Sequence, residues 1–192
     1  MNTREVQEAL DRIGWPIDVD GAWGGQTYQA VWDFQRGFAF SNLQIDGHAG
    51  PKTHEALRLA LEEEGRCSPH FAFREFKSKG NGWIKVNREL VRGLEEYRED
   101  LAGGKGVGIV SGYRDPRRNA QVGGARNSQH LYGNAADLEP LHSVAALRRL
   151  RRFSGIGYNR ASGKVPHVDV RHTGPNTTNS SIASPMTWPY PR

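Results

Sequence analysis

A histidine and an aspartate lie seven positions apart in the segment S-Q-H-L-Y-G-N-A-A-D, as His130 and Asp137. His167 follows thirty residues later, in the segment V-P-H-V-D-V-R-H. A catalytic zinc site needs three protein ligands with nitrogen or oxygen donors, and a fourth position left open for water. Two neutral imidazoles and one carboxylate leave the zinc complex positively charged, which makes a water ligand more acidic. The spacing therefore predicts that His130, Asp137 and His167 hold a catalytic zinc ion.

The residues around these candidate ligands have the pattern of packed strands. Gly133 and the two alanines that follow leave room for close approach of the backbone. Apolar residues flank Asp137, which predicts a half-buried strand with the carboxylate on one face. His167 and Asp169 stand two positions apart, so a strand would place both on one face, with Val168 opposite. We therefore expect Asp169 to lie beside the metal ligands.

Residues 68–172 resemble the zinc D-alanyl-D-alanine carboxypeptidases and the related L-alanyl-D-glutamate endolysins. The shared patterns are S-x-H-x-x-G-x-A-x-D, then H-V-D, and upstream the segment S-G-Y-R that ends in Arg114. The resemblance implies a small α+β fold with an antiparallel sheet, of the kind found in hedgehog-like zinc domains. It also implies zinc on His130, Asp137 and His167, and a contact from Arg114 to a substrate carboxylate or oxyanion.

One position departs from the pattern of this family. Several members carry an acidic general base three residues before the last histidine, and this chain has Lys164 there. Asp169, on the same strand as His167, is predicted to take the proton of the attacking water instead. His172 is a further candidate, either as a ligand or as a partner of a ligand. A fourth protein ligand would close the site and make the zinc structural.

The first sixty residues contain an internal repeat. The pattern D-G-x-x-G-x-x-T occurs at 20–27 and returns at 46–53, a period of 26. Each copy precedes a helical pattern, and an amphipathic helix over 6–13 precedes the first copy, so the sequence predicts a three-helix unit. Asp-Gly is expected to form the turn and the threonine to cap the helix. The repeat resembles the peptidoglycan-binding domains found beside wall hydrolases.

The sequence thus predicts an α+β protein of two domains. A three-helix peptidoglycan-binding domain is expected over residues 1–62, followed by a linker over 63–69. A zinc peptidase domain with a small antiparallel sheet is expected over 70–192, ending in an irregular C-terminal tail.

Four further elements of the second domain can be predicted from local patterns. A helix capped by Asn87 is expected to run to position 101, and another helix is expected over 144–153. The polar stretch 117–127 is predicted to be a loop that lines a cleft. The glycines of 155–158 predict a turn.

Composition narrows the class of partner. The chain has 26 Lys and Arg against 21 Asp and Glu, a net charge of +5, and a pI near 9.6. The basic residues are dispersed and no aromatic–basic platform accompanies them, so we expect attraction to an anionic bacterial wall and no nucleic-acid partner. Mean hydropathy is −0.69 and no apolar run approaches the roughly 20 residues that span a bilayer. The single cysteine excludes an intrachain disulfide.

These features predict a soluble, monomeric peptidoglycan hydrolase that cleaves a stem-peptide amide bond with zinc-activated water. The chain begins in amphipathic sequence without the pattern of an export signal. That favours a phage endolysin-type endopeptidase, held in the host cytoplasm and reaching the cell wall after lysis. A bacterial wall enzyme exported by another route is the alternative origin. A D-Ala-D-Ala carboxypeptidase, and a wall-binding protein with a structural zinc site, are the alternative functions.

Overall fold

The computed structural model describes residues 1–101, 103, 105–150, 152–171 and 186–189. No helix among these residues is long and apolar enough to cross a lipid bilayer. Three helices form the N-terminal region, and every strand lies in the second half of the chain. The helices are α1 (Thr3–Ile13), α2 (Gly25–Gly37), α3 (Pro51–Glu62), α4 (Arg88–Glu96), α5 (Pro116–Gln121) and α6 (Val144–Leu147). The strands are β1 (Gly108–Ser111), β2 (Ala135–Ser143), β3 (Gly155–Tyr158), β4 (Lys164–Asp169) and β5 (Met186–Pro189).

The three N-terminal helices confirm the predicted three-helix unit. The Asn2 side chain caps α1 by accepting from the backbone N–H of Glu5. The Glu5 carboxylate in turn accepts from the backbone N–H of Asn2. The apolar stripe of α1 is buried, with Val6 and Leu10 almost fully removed from solvent. The amphipathic pattern therefore forms a helix because the stripe has a core to enter.

Each copy of the repeat folds around a buried glutamine of the preceding helix, Gln7 in α1 and Gln35 in α2. The glutamine amide donates to the repeat aspartate, to the carbonyl two residues later and to the repeat threonine, over 2.8–3.1 Å. The glutamine carbonyl accepts backbone N–H groups of the turn, those of Gly21 and Gly47 among them. The repeat is thus a polar turn tied to a core amide.

The threonines do not cap the helices as predicted. Gly24 and Gly50 occupy the N-cap positions of α2 and α3, and neither helix has a side-chain capping bond. Thr27 and Thr53 lie one turn further on, almost fully buried, where each hydroxyl accepts from a glutamine. The prediction is wrong because each threonine hydroxyl accepts a hydrogen bond from a glutamine of the preceding helix instead of capping its own helix.

The sheet has strand order β1-β2-β4-β3-β5. The first four strands pair antiparallel, as predicted, and β5 adds to the edge parallel to β3. Part of the predicted irregular tail is therefore a strand. His172 and the remainder of the tail lie outside the described residues.

Local predictions in this domain have mixed outcomes. The helix capped by Asn87 is confirmed as α4, which continues as a π-helix over Tyr97–Leu101. The loop predicted over 117–127 is wrong in its first half, because those residues belong to the helix α5 that Asp115 caps. The glycines at 155–158 belong to β3.

The helix predicted over 144–153 ends much earlier, since α6 stops at Leu147. Beyond Leu147 the chain follows tertiary contacts instead: Leu150 and Phe153 are buried, and Arg152 forms ion pairs with Glu89 and Glu96.

The N-terminal helices and the sheet domain share one hydrophobic core. Trp15 donates its indole N–H to the carbonyl of Ile84 at 3.2 Å, and its ring centroid lies 4.9 Å from that of Phe73. A Cβ added to Gly37 would lie 2.7 Å from Phe73, so the two regions approach closely there. In the segment 63–69, Cys67 is fully buried. The predicted domain bounds stay a prediction, but this segment packs as part of the core.

Replacing Gln35 with Ala should lower the free energy of unfolding by about 3 kcal/mol, because the N–H groups of Asp46 and Gly47 lose their acceptor. Urea unfolding followed by circular dichroism measures the change. Gln44, which is exposed, provides the matched control as Gln44→Ala. Equal stabilities of the two variants would contradict the role of the buried amide.

Candidate metal centre

Three elements bring the predicted ligands together. His130 lies on the 3-10 helix Gln129–Tyr132, Asp137 on β2 and His167 on β4. Asp137 and His167 are register partners in the antiparallel pair, so their side chains project from the same face of the sheet. One ligand atom from each of the three residues lies within 4.8 Å of the others.

The spacing of these atoms fits a tetrahedral ion. His130 Nε2 lies 3.1 Å from His167 Nδ1, and Asp137 Oδ1 lies 3.1 Å from His167 Nδ1 and 3.3 Å from His130 Nε2. A tetrahedral zinc ion with bonds of about 2.0–2.1 Å separates its ligand atoms by about 3.3–3.4 Å. The triangle therefore needs only a small expansion to hold the metal.

Hydrogen bonds on the far side of each ring favour the tautomers that bind a metal. His130 Nδ1 lies 2.6 Å from the carbonyl oxygen of Gly112, which can only accept, so the proton of a neutral ring is on Nδ1. His167 has a carboxylate at each edge, because Nε2 lies 3.1 Å from Asp169 and Nδ1 lies 3.1 Å from Asp137 Oδ1. A neutral His167 with its proton on Nε2 directs its Nδ1 lone pair toward Asp137 Oδ1, as His130 does with Nε2. Three electron-pair donors then converge, as a bound cation requires.

Asp169 lies behind His167 with respect to this cluster. It is 0% exposed, and its carboxylate accepts from Arg171 Nη2 at 2.5 Å and Arg171 Nε at 2.9 Å. Burial raises the pKa of Asp169, but the hydrogen bonds from Arg171 and His167 outweigh it and hold the pKa at about 2. A Cβ on Gly155 would collide with this carboxylate, so the glycine of β3 makes its position possible.

Arg114 contacts the other oxygen of the aspartate ligand. Its Nη2 donates to Asp137 Oδ2, and its Nε donates to Ser111 Oγ at 2.9 Å. Burial raises the pKa of Asp137, yet the His130 and His167 rings, which donate to its carboxylate when they carry a proton at that edge, hold that pKa well below its usual range. Asp137 is therefore a carboxylate at any physiological pH, with Oδ1 directed at the histidines.

The histidine pKa values reflect the same field. Burial lowers the pKa of His130, which favours the neutral ring that a metal requires. Burial also acts to lower the pKa of His167, but the carboxylates of Asp137 and Asp169 raise it. The strongly negative surroundings that attract a proton to His167 would equally attract a divalent cation.

A cleft of about 210 Å³ opens beside Asp137. Its walls include the backbone segment 111–114 and two exposed valines, Val110 and Val122. Four cationic side chains also line it: Lys77, Lys79, Arg114 and Arg118. The only acidic lining groups among the described residues are Asp137 and Glu75. The cleft is thus suited to a small anionic ligand next to Asp137 and Arg114.

The structure brings all five predicted site residues into one network and adds others that the sequence did not indicate. His130, Asp137 and His167 form the cluster, and Arg114 contacts it through Asp137. Asp169 contacts it through His167, from the buried side. Arg171 was missed, although it continues the two-residue alternation of His167 and Asp169 and so could have been found. The Gly112 carbonyl has no signature in the sequence.

The fold and the two-histidine, one-aspartate cluster define a metal-binding domain on a helical module, and comparison with known proteins identifies the family. Residues 69–169 match the Peptidase M15 model, and residues 2–57 match the putative peptidoglycan binding domain. The peptidase match covers more than half of the chain, which therefore belongs to the peptidase M15 family.

A known relative is the zinc D-Ala-D-Ala carboxypeptidase of Streptomyces albus G. It is 32% identical to this chain over 171 residues, which cover 83% of this chain and 65% of the relative. The chain thus matches about two thirds of the length of that relative. The resemblance predicted from the motifs is confirmed in both regions of the chain.

Replacing Asp169 with Asn should weaken zinc binding by about 10–100-fold, because the outer partner that orients His167 loses its charge. Isothermal titration calorimetry with zinc measures the change. Asp18, an exposed aspartate, supplies the control variant Asp18→Asn. An unchanged zinc affinity in Asp169→Asn would show that the carboxylate does not support the ligand.

The same variant should change the acid sensitivity of the zinc-free protein. The folded pKa of about 2 lies below the ordinary 3.8, so the stabilisation from Asp169 is complete above pH 4 and is lost as the pH falls toward 2. Urea unfolding in chelator should show the difference in stability between the wild type and Asp169→Asn shrink by about 2 kcal/mol over that range. Parallel pH profiles would contradict the assignment.

Proposed function

We propose that this protein is a zinc peptidase that acts on the stem peptides of peptidoglycan, as a D-Ala-D-Ala carboxypeptidase. The observation that carries the proposal is the convergence of His130 Nε2, His167 Nδ1 and Asp137 Oδ1 as three acceptors beside a cationic cleft. Membership of the M15 family supports the class of reaction. The named relative supports the choice of bond.

The donor set suits zinc. Two imidazole nitrogens and one carboxylate oxygen are borderline to hard donors, and three protein ligands leave a position open, as catalytic zinc sites do. When bound, zinc would acidify a water and polarise a carbonyl. The residues of this chain hold the ion in place: Gly112 and Asp169 orient the two rings, and Arg114 orients the carboxylate.

Asp169 fits a positioning role better than that of the proton acceptor. Its carboxylate is fully buried and faces the Nε2 edge of His167, whereas the metal position lies at the Nδ1 edge. The role of general base, predicted for Asp169 from its place on the strand, stays a prediction that this burial disfavours. We infer that Asp169 keeps His167 in the tautomer that binds metal.

The cleft supports a substrate that ends in a carboxylate. Lys77, Lys79 and Arg118 surround the space next to Arg114, so a peptide with a free C-terminus would be attracted to it. The exposed Val110 and Val122 offer apolar contacts of the size that an alanine methyl needs. A terminal alanine beside the metal is the substrate end that a carboxypeptidase requires.

The N-terminal module supplies the second half of the proposal. Its match to the putative peptidoglycan binding domain supports bacterial peptidoglycan as the partner and the cell wall as the place of action. The endolysin-type endopeptidase predicted from the sequence would use the same metal chemistry. It differs only in the bond that is presented to the metal.

Incubating the zinc-loaded protein with a stem pentapeptide ending in D-Ala-D-Ala should release the terminal alanine, detected by mass spectrometry. Amidation of the C-terminus should suppress this cleavage, because the cationic cleft loses its charged ligand. His130→Ala should abolish the reaction, since one metal ligand is removed. His48→Ala, at an exposed histidine, should retain it.

Internal cleavage that tolerates the amide would replace the carboxypeptidase with the endopeptidase. Absence of cleavage from both peptides, with one equivalent of zinc bound, would overturn the peptidase proposal and favour a wall-binding protein with structural zinc.

A further inference from the structure

A guanidinium of the N-terminal module reaches into the sheet domain beside the metal-binding loop. Arg36 lies at the C-terminal end of α2 and is 7% exposed. Its Nη1 donates to the carbonyl oxygen of Tyr132 at 2.7 Å, and its Nη2 donates to Asn134 Oδ1. Both acceptors belong to the segment that joins the ligands His130 and Asp137. The two hydrogen bonds join residues that are 96 and 98 positions apart in the sequence.

The same segment is held from the sheet domain by Asn87. The Asn87 backbone N–H donates to the carbonyl of Gly133 at 2.9 Å, and its side-chain amide donates to Asn134 Oδ1 at 3.2 Å. Gly133 has a left-handed φ of +67°, and a Cβ there would lie 2.6 Å from the carbonyl oxygen of Lys85. Three consecutive residues between the two ligands are thus clamped on both sides.

Asn134 transmits the clamp to both histidine-bearing elements. Its backbone N–H and side-chain amide donate to Gln129, at the start of the 3-10 helix that carries His130. Its carbonyl accepts from the N–H of Val170 at 2.9 Å, just past the end of β4, which carries His167. A displacement of Asn134 would therefore move the elements of both histidines.

Arg36 brings a positive charge into this contact. Burial lowers the pKa of Arg36 to about 10, while the charge of Asp33 acts to raise it, so the buried side chain is charged at neutral pH. The two groups that it bonds are an amide and a carbonyl, so its charge-assisted hydrogen bonds go to the metal-binding segment. The ring of Trp32, with its centroid 5.7 Å from the guanidinium carbon, adds a weak cation–π contact.

We propose that Arg36 is a positioning residue for the metal centre, so that the N-terminal module completes the metal-binding loop in addition to any contact with the wall. This inference rests on the proposed function, because it concerns the same three ligands. It gives a residue outside the M15-matched region, 69–169, a part in forming the site.

The test is the zinc affinity of the full chain with Arg36→Met, which keeps the length of the side chain and removes its donors. We expect the affinity to fall at least tenfold, as for other outer partners of metal ligands. Cobalt(II) absorption, which reports coordination geometry, should lose intensity from the tetrahedral bands in the same variant. Asn134→Ala should give at least a similar loss, because it removes the bond to Arg36 together with those to Asn87 and Gln129. The double variant should lose less than the sum of the two single losses, because both changes remove the bond between Arg36 and Asn134.

Arg88→Met is the matched control. Arg88 is also a buried guanidinium at the contact between the two regions, and it donates to the carbonyls of Gln35 and Leu43, away from the metal loop. It should lower the free energy of unfolding of the zinc-free protein, measured with urea, while the zinc affinity of the folded protein stays within twofold of wild type.

Equal zinc affinities and cobalt spectra in wild type and Arg36→Met would overturn the inference and leave the proposed function standing. Equal losses in Arg36→Met and Arg88→Met would also overturn it, because they would indicate a general effect of the contact. If Arg36→Met does not fold, Arg36→Lys, which keeps the charge but cannot donate to both acceptors with the same geometry, decides by the same criteria. Failure of the wild type to bind one equivalent of zinc would overturn the proposed function together with the inference.

Discussion

The site depends on the convergence of three electron-pair donors, on residues whose other polar side-chain atoms form hydrogen bonds on the side away from the cluster. The protons of the two rings are held on their far sides by Gly112 and Asp169, so neither ring can donate toward the other while neutral. Asp137 adds a carboxylate oxygen to the same small volume. Without a cation or an added proton on His167 this arrangement is repulsive, and the surrounding contacts must oppose that repulsion. Most hydrogen bonds and ion pairs of the sheet domain near the site can be understood as contacts that hold the three donors in place against this repulsion.

Charge compensation follows the same logic. The two buried carboxylates, Asp137 and Asp169, each meet one arginine, Arg114 and Arg171, and each also meets His167. The arginines balance the field without entering the space between the ligands. The outer residues therefore keep the carboxylates ionised and oriented while the centre retains enough negative potential to attract a divalent ion.

Sequence reasoning predicted the cluster of His130, Asp137 and His167 because its information is local: small residues beside Asp137, and alternation around His167, follow from strand geometry. The three N-terminal helices were found for the same reason, through their apolar stripes. What local patterns did not show depended on distant partners. Thr27 accepts a hydrogen bond from a glutamine of another helix. The positioning role inferred for Asp169 depends on which edge of the His167 ring it faces. No pattern near Arg36 indicates a contact with a metal-binding loop about one hundred positions away.

The continuous core beneath the two regions has a consequence for how such proteins can be rearranged. Trp15 is buried by packing on Phe73 and by a bond to Ile84, so a cut between the regions would expose aromatic surface on both pieces. A wall-binding module attached by a flexible linker can be exchanged between hydrolases as an independent domain. Here the helical module and the sheet domain must change together, and each accepted substitution at their contact restricts which partner could replace the other.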